Sequence, residues 1–273
     1  MTHFSKMHGL GNDFVVINTL NQQIDVDQLP ISQLADRHLG IGFDQLLLIS
    51  HSPKADFFCR IVNGDGSEAE QCGNGLRCVA RFIHDKQLSS SNSFSIATSG
   101  GVYSATVIDN HKIQISMGVP SFEPKQIPFI TQNQQNAYQL KMQSDEADQS
   151  LFALSMGNPH AIVLVQSVAN FPVQKLGYEI GHHAAFPQGV NVGFMEIVNP
   201  AHVRLRTYER GVGETLACGS NSCAAVVAGI ANNLLDQKVK VELALGDLWV
   251  EWAGEKEAVL MTGPAEFVFE GTF

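Results

Sequence analysis

Positive charge is scarce in this chain. Seventeen Lys and Arg residues stand against 27 Asp and Glu, a net charge of −10 with histidine neutral. Nowhere do the basic residues cluster as a groove tracking a phosphate backbone would need, so no nucleic-acid partner is expected. Long apolar runs are missing as well: none approaches the ~20 residues of a membrane span. The opening MTHFSKMHGLGNDF lacks the charged stretch followed by an apolar one that marks a secretory signal. A cytoplasmic protein with no membrane partner is expected. Cysteine is sparse and odd in number. The five, at 59, 72, 78, 218 and 223, form neither the even ladder of a secreted disulfide scaffold nor the CxxC pairs of a zinc ribbon. Free thiols are expected, and no metal, since no ligand pair has zinc-finger spacing. A dinucleotide fingerprint and a P-loop are also lacking, which leaves GLG and GDG as turn glycines. With 44% hydrophobic and 16% charged residues there is little room for long disorder.

What is present is mostly strand. Short β-type runs such as FVVINTL, DQLLLIS, FFCRIV, KIQISM, HAIVLV, HVRLRTYE and EFVFEG recur along the chain. Several alternate with period two, and TSGG and LGD supply hairpin turns. Four segments read as helices. Those at 27–39 and 173–186 look amphipathic and surface-lying, while 73–88 and 219–235 are more apolar. The last, SCAAVVAGIANNLL, is apolar almost all round, so it belongs inside something, and strands are available to wrap it. The polar stretch ITQNQQNAYQ reads as a surface loop near a domain boundary.

The chain also resembles itself at an offset of 146 residues. Cys72 falls on Cys218, Gly73 on Gly219, Glu68 on Glu214, Arg60 on Arg206, and GN at 11–12 on GN at 157–158. Without a gap the same offset lays Gln45 on Asn191, Asn63 on Glu209, and the helix at 27–39 over 173–186. Polar residues, glycines and one cysteine match more often than core aliphatics do, which favours duplication over chance agreement of two α+β stretches. The expected fold is α+β: two pseudo-symmetric lobes, each a curved mixed sheet wrapped around a central helix. The lobes are expected at 1–118 and 119–262, with a terminal strand, 263–273, returning to the first. Related by a pseudo-two-fold axis, equivalent residues would face each other across a cleft, a usual place for a small-ligand site.

Each of Cys72 and Cys218 is followed by small or polar residues (Gly73-Asn74, Gly219-Ser220) and then a helix. Unpaired N–H groups and the helix dipole there favour a thiolate, lowering a thiol that ordinarily titrates near ~8.5. The same N–H groups can cradle a carboxylate. Two opposed groups, one thiolate and one thiol, suit inversion of a carbon beside a carboxylate: one removes a proton from one face and the other delivers one to the opposite face. No cofactor is required.

RIVNGDGSEAEQCGNGLRC, GIGFDQLLLI, GNDFVVIN, MGNPH, GVNVGF and YERGVGETLACGS together make the chain resemble the diaminopimelate epimerases over nearly its whole length, the two cysteine segments being the most specific. The resemblance implies interconversion of LL- and meso-2,6-diaminopimelate in lysine and peptidoglycan biosynthesis, without pyridoxal phosphate, usually by a homodimer. It makes Cys72 and Cys218 the catalytic bases, with His160 and Glu209 tuning them. Asn12, Gln45, Asn63, Asn158, Asn191, Glu209 and Arg210 become the substrate-binding set, with Gly73-Asn74 and Gly219-Ser220 as carboxylate-binding helix starts. Arg210 can fork onto a distal carboxylate, and Glu209 can meet an ammonium group.

Three positions depart from the family pattern. Asn221 stands where glycine is commoner, and is read as tolerating left-handed backbone; Phe43 stands where a smaller residue is commoner, beside Gln45; Phe269 stands where a dimer-contact tyrosine is frequent. Cys59, Cys78 and Cys223 read as buried small hydrophobes, and Arg60, Arg206, Glu68 and Glu214 as structural support. The rival activities are a proline or hydroxyproline epimerase, whose smaller substrate needs no Glu209-Arg210 cradle, and a non-catalytic binding protein on the same scaffold. A disulfide between Cys72 and Cys218 would be an inactive state.

Overall fold

β-Branched and aromatic runs with alternating burial make strand the dominant element, as the computed structural model shows over residues 1–22, 24–109, 111–142 and 147–273. The chain divides into two compact units, Met1–Ser116 with Thr262–Phe273, and Met117–Met261. The first unit contains β1 (His3–Gly9), β2 (Asn12–Asn18), α1 (Ile31–Ala35), β3 (Gln45–Ser50), β4 (Phe57–Asn63), β5 (Glu68–Ala69), α2 (Gly73–Asp85), β6 (Ser93–Thr98), β7 (Gly101–Asp109) and β8 (Lys112–Ser116). The second contains β9 (Tyr138–Leu140), β10 (Gln149–Ser155), β11 (Pro159–Leu164), α3 (Val173–Gly181), β12 (Asn191–Asn199), β13 (His202–Glu209), β14 (Gly213–Thr215), α4 (Gly219–Ala231), β15 (Lys238–Leu243) and β16 (Gly246–Glu251). β17 (Leu260–Gly263) and β18 (Glu266–Thr272) complete the chain.

Both sheets are mixed and follow one plan. In the first unit β1 pairs antiparallel with β18 and β2, β2 runs parallel to β3, β3 antiparallel to β4, and β4 parallel to β6, from which β7 and β8 follow as a meander. In the second, β10 and β11 are antiparallel, β11 is parallel to β12, β12 antiparallel to β13, and β13 parallel to β15, which pairs with β16. The offset of 146 residues carries β1 onto β10 and α2 onto α4 with matching bounds. The two-residue turn joining β1 to β2 has positive φ at both Leu10 (55°) and Gly11 (86°), the twist that a tight hairpin demands.

Each central helix is surrounded by its own sheet. α4 contacts β10, β11, β12, β13, β15 and β16, and α2 contacts β1, β2, β3, β7 and β8. In α4 every residue from Asn221 to Gly229 is buried, as a helix with no polar side requires. Both helices stop earlier than their sequence pattern, at Asp85 and Ala231, and in the same way. Gln87 (φ 54°) and Asn233 (φ 57°) turn left-handed, while the N–H of Leu88 donates to Ile83 O and that of Leu234 to Gly229 O, both at 2.9 Å. These six-to-one bonds satisfy carbonyls that the last turn leaves open.

The outer faces of the sheets carry the smaller helices. In the first unit Phe4, Val15, Ile17, Leu46, Leu48 and Val62 pack beneath Ile31, Leu34 and Ala35, and Phe43 (3% exposed) is absorbed into this layer. The expected helix over 27–39 is reduced here to Ile31–Ala35. Pro30 begins it, and the Asp36 carboxylate then accepts from the N–H groups of His38 and Leu39, each at 2.7 Å, turning the chain away. α3 likewise ends at Gly181, short of the expected 186. It lies against an aromatic layer in which Phe129 stacks on Phe186 at 4.6 Å. The residues at 130–137 form an exposed loop inside the second unit.

α3 approaches its sheet closely at Gly177, where a Cβ would stand 2.4 Å from Cβ of Tyr208. Neither atom can swing away as a flexible side-chain end would. Gly177→Ala is therefore expected to destabilise the protein by about 1–3 kcal/mol through overpacking, despite alanine's better helix propensity. Urea unfolding checks this, and an unchanged midpoint would contradict the close approach.

Candidate functional site

Each unit uses a cysteine as the N-cap of its central helix. Cys72 precedes α2 and Cys218 precedes α4, both with extended backbone, and no acidic side chain occupies either first turn. Sulfur accepts hydrogen bonds weakly, so the helix starts keep N–H groups available for an anion. All five cysteines are free; Cys59, Cys78 and Cys223 are at most 1% exposed, and burial pushes the thiols of Cys59 and Cys78 far up.

In the first unit the half-buried Cys72 accepts from the N–H of Gly75 at 3.3 Å, and its Sγ lies 3.6 Å from Asn12 Oδ1. The same Asn12 oxygen accepts from Asn74 Nδ2 at 3.3 Å. Asn12, Cys72 and Asn74 are thus brought together around the start of α2, beside Gly73. Their supports are charged. Asn12 Nδ2 donates to Asp44 at 2.8 Å, and Arg37 bridges Asp44 and Asp13, which also meets Lys6 at 2.5 Å. Burial works to raise the Asp13 pKa, but Arg37 and Lys6 prevail and hold it at about 2. The buried Arg77 donates to Asn74 Oδ1 at 2.9 Å and to the carbonyl of Pro264 at 3.0 Å. Gln45 and Asn63 form their own pair, Gln45 Nε2 donating at 2.8 Å, with Asn63 donating to Ser67 Oγ at 2.9 Å.

The second unit departs from its counterpart. Cys218 is buried, with Ser220 Oγ 3.5 Å from its sulfur. The expectation that a helix start lowers both thiols is corrected here: the pKa of Cys218 is raised well above its ordinary value. Burial is the main cause and the neighbouring Glu209 carboxylate adds to it, against lowering by Ser220 and the N–H of Asn221. That N–H faces the sulfur without closing a capping bond. Glu209 accepts from Thr215 Oγ1 at 2.5 Å. His160, fully buried on β11, has its Nε2 2.9 Å from Asn158 Oδ1. Desolvation pushes its pKa down to about 3, so the ring is neutral. Asn191 ties Pro159 to Arg210, donating to the carbonyl of one (3.1 Å) and accepting from the N–H of the other (3.0 Å). The exposed Arg210 guanidinium donates to Gln188 O at 3.0 Å.

The expectation of left-handed backbone at Asn221 is also corrected. The residue lies inside α4, fully buried, and is absent from the positive-φ positions. The matched residues Arg60 and Glu68 form an ion pair, as do Arg206 and Glu214, with Nε–Oε1 distances of 2.7 Å in both units. Asp44, Arg77 and Thr215 support the site without having been singled out from the sequence. Only Arg77 left a signal there, a charge inside an apolar helix. Among the described residues no three His, Cys, Asp or Glu side chains converge as a metal centre would require.

Similarity to known proteins follows the same residues. The family model described as diaminopimelate epimerase matches residues 4–123 and 152–268. A relative in Nitrosomonas europaea named diaminopimelate epimerase is 50% identical over 270 residues, 98% of this chain and 98% of its own. One of the same name in Teredinibacter turnerae is 48% identical, covering 98% and 97%. Among solved structures, a hydroxyproline epimerase from Agrobacterium vitis superposes with a TM-score of 0.69 at 16% identity, covering 99% of this chain and 91% of that one. A Bacillus anthracis protein of the PhzF family does so with a TM-score of 0.67 at 15% identity, covering 99% and 98%. At such identities these two share the fold alone.

The buried neutral His160 has a consequence for stability. Its folded pKa, about 3, lies below the 6.5 of a free imidazole, so the unfolded chain takes up the proton first. Stability conferred above pH 6.5 is then lost as pH falls toward 3, at ~1.4 kcal/mol per unit. Between pH 7 and pH 5 the unfolding free energy is expected to drop by ~2 kcal/mol more in the wild type than in His160→Gln. Urea titrations at the two pH values measure it; identical pH dependence would show that the ring is not held neutral.

Proposed function

The chain belongs to the diaminopimelate epimerase family, and on that premise we propose that it interconverts LL- and meso-2,6-diaminopimelate with Cys72 and Cys218 as its two bases. The activity is an isomerase's and belongs to lysine biosynthesis. The observation that carries the two-base reading is the repeated placement of one cysteine at the start of each central helix. One thiol removes the α-proton from one face of the stereocentre and the other returns a proton to the opposite face, with roles exchanged in the reverse direction. The N–H groups at the helix starts, with Gly73-Asn74 and Gly219-Ser220, hold the substrate carboxylate and stabilise the charge that develops on it as the proton leaves.

The unequal environments of the cysteines support a division of labour in the substrate-free enzyme. Cys218, raised by burial and by Glu209, rests as the thiol and supplies the proton. Cys72, with the N–H of Gly75 on its sulfur, is the base. The remaining polar residues suit a substrate with two amino-acid ends: Arg210 pairs with the distal carboxylate, Glu209 with an ammonium group, and Asn12, Gln45, Asn63, Asn158 and Asn191 with the rest. His160 acts on the reacting centre as a neutral ring. The reading includes a cytoplasmic homodimer, supported by the family likeness and by the exposed apolar residues Val268 and Phe269 on β18.

Reduced protein in deuterated water, incubated separately with LL-diaminopimelate and with proline, tests the reaction. Deuterium is expected at the α-carbon of diaminopimelate alone; incorporation into proline alone would move the assignment to the proline epimerases. Cys72→Ala and Cys218→Ala should each lower turnover by about 10²–10⁴-fold, the range for loss of an acid–base group. Near-wild-type rates in either variant would refute the two-base scheme.

A further inference from the structure

Around Asn221 the two units differ by an exchange of volumes. In the first unit the helix position is Gly75, and a Cβ there would meet Leu47 of β3 at 3.3 Å. In the second the strand position is Gly193 and the helix position is Asn221, whose Oδ1 lies 2.8 Å from where a Cβ on Gly193 would stand, with Ile162 Cδ1 equally close on β11. The Asn221 side chain therefore occupies the space over the strand that Leu47 fills in the first unit.

The replacement is an amide, and that is the difficulty it poses. Asn221 is 0% exposed, and neither Oδ1 nor Nδ2 closes a hydrogen bond of good geometry, although the side chain lies near enough to His160 to act on its ring. Two further orphans share its face of the sheet. Thr207 pairs with Gly193 in register and is 2% exposed with Oγ1 unpartnered; His160 pairs with Asn191 and is 0% exposed with Nδ1 unpartnered. Buried polar atoms in native proteins are nearly always paired, so four in one place call for a common explanation.

Donor and acceptor inventory provides one. Asn158 Oδ1 can only accept, so His160 Nε2 carries the hydrogen of that bond. The neutral ring is left with a bare lone pair at Nδ1, which needs a donor. The Asn221 amide reaches the ring, and as it stands it acts in the sense that favours a charged imidazole; turned over, its Nδ2 becomes a donor for Nδ1 and its Oδ1 an acceptor for the Thr207 hydroxyl. We propose that Asn221 is a positioning residue, donating to His160 Nδ1 while accepting from Thr207, and so holding the imidazole in its Nε2–H tautomer toward Asn158. This short relay gives all four orphaned atoms a partner and needs only side-chain rotation. Burial, which keeps the ring neutral, makes the tautomer meaningful. The catalytic consequence rests on the two-base reading above; the tautomer itself does not.

Nitrogen-15 NMR of protein labelled at histidine reads the tautomer without turnover, with His160→Gln assigning the signal. The wild type is expected to show a protonated Nε2 and a bare Nδ1. Asn221→Asp, which can accept at this place but not donate, should put a proton on Nδ1. Gly193→Ala, which crowds the amide together with Ile162 Cδ1, should leave a mixture of tautomers. A wild-type ring protonated at Nδ1, or an unchanged ring in Asn221→Asp, would overturn the proposal. With the tautomer moved, kcat should fall by about tenfold, as on loss of an orienting partner, while KM stays within about twofold. Unchanged kcat in that variant would overturn the positioning role, whereas failure of the two-base reading would appear separately in the deuterium exchange.

Discussion

A helix with no polar side can be kept from water only by surrounding it, and the second unit is organised by that requirement; in the first, α2 is wrapped on the same plan but leaves Arg81, His84 and Asp85 on a more open side. The flanks of α4 are taken by strands, and its backbone groups are paired along its length, so its open backbone groups lie at its ends. The C-terminal end is closed by a left-handed residue and a six-to-one bond. The N-terminal end has a cysteine at the capping position, where serine, threonine or aspartate would satisfy the N–H groups better, by about 1 kcal/mol in ordinary helices. The fold thus gives up some capping energy at the place where an anion can be received.

Duplication repeats the framework more faithfully than the chemistry. The ion pairs Arg60–Glu68 and Arg206–Glu214 recur with equal Nε–Oε1 distances, and both central helices end in the same motif. Functional positions have diverged. Phe14 and His160 fill equivalent, fully buried places on β2 and β11, so an environment suited to a phenyl ring now holds an imidazole and drives it neutral. Asn63 corresponds to Glu209, placing a carboxylate near Cys218 where the first unit has an amide. Two similar halves therefore hold their thiols in unlike fields.

Much of this was legible in the sequence because it depends on local pattern. Strand alternation, apolar helices and the 146-residue offset are written in neighbouring residues, and the offset survives because turns, caps and helix starts constrain residue type. The short α1 was harder: the apolar positions over 27–39 look helical, yet Pro30 and the Asp36 turn confine the helix to five residues. The state of Cys218 was not legible, since a helix start argues for a low pKa and only packing reveals how deeply the sulfur is buried. Nor was the fate of Asn221. Its partners in volume, Gly193, and in hydrogen bonding, His160 and Thr207, lie on other strands, where no reading of ACGSNSCA alone could find them.

The exchange between helix and strand at Gly75–Leu47 and Asn221–Gly193 couples positions that are far apart in the chain. A leucine at 193 would collide with both Asn221 and Ile162. The halves are therefore not interchangeable parts: α4, with Asn221 in place of Gly75, would not fit over Leu47, however similar the two backbones are.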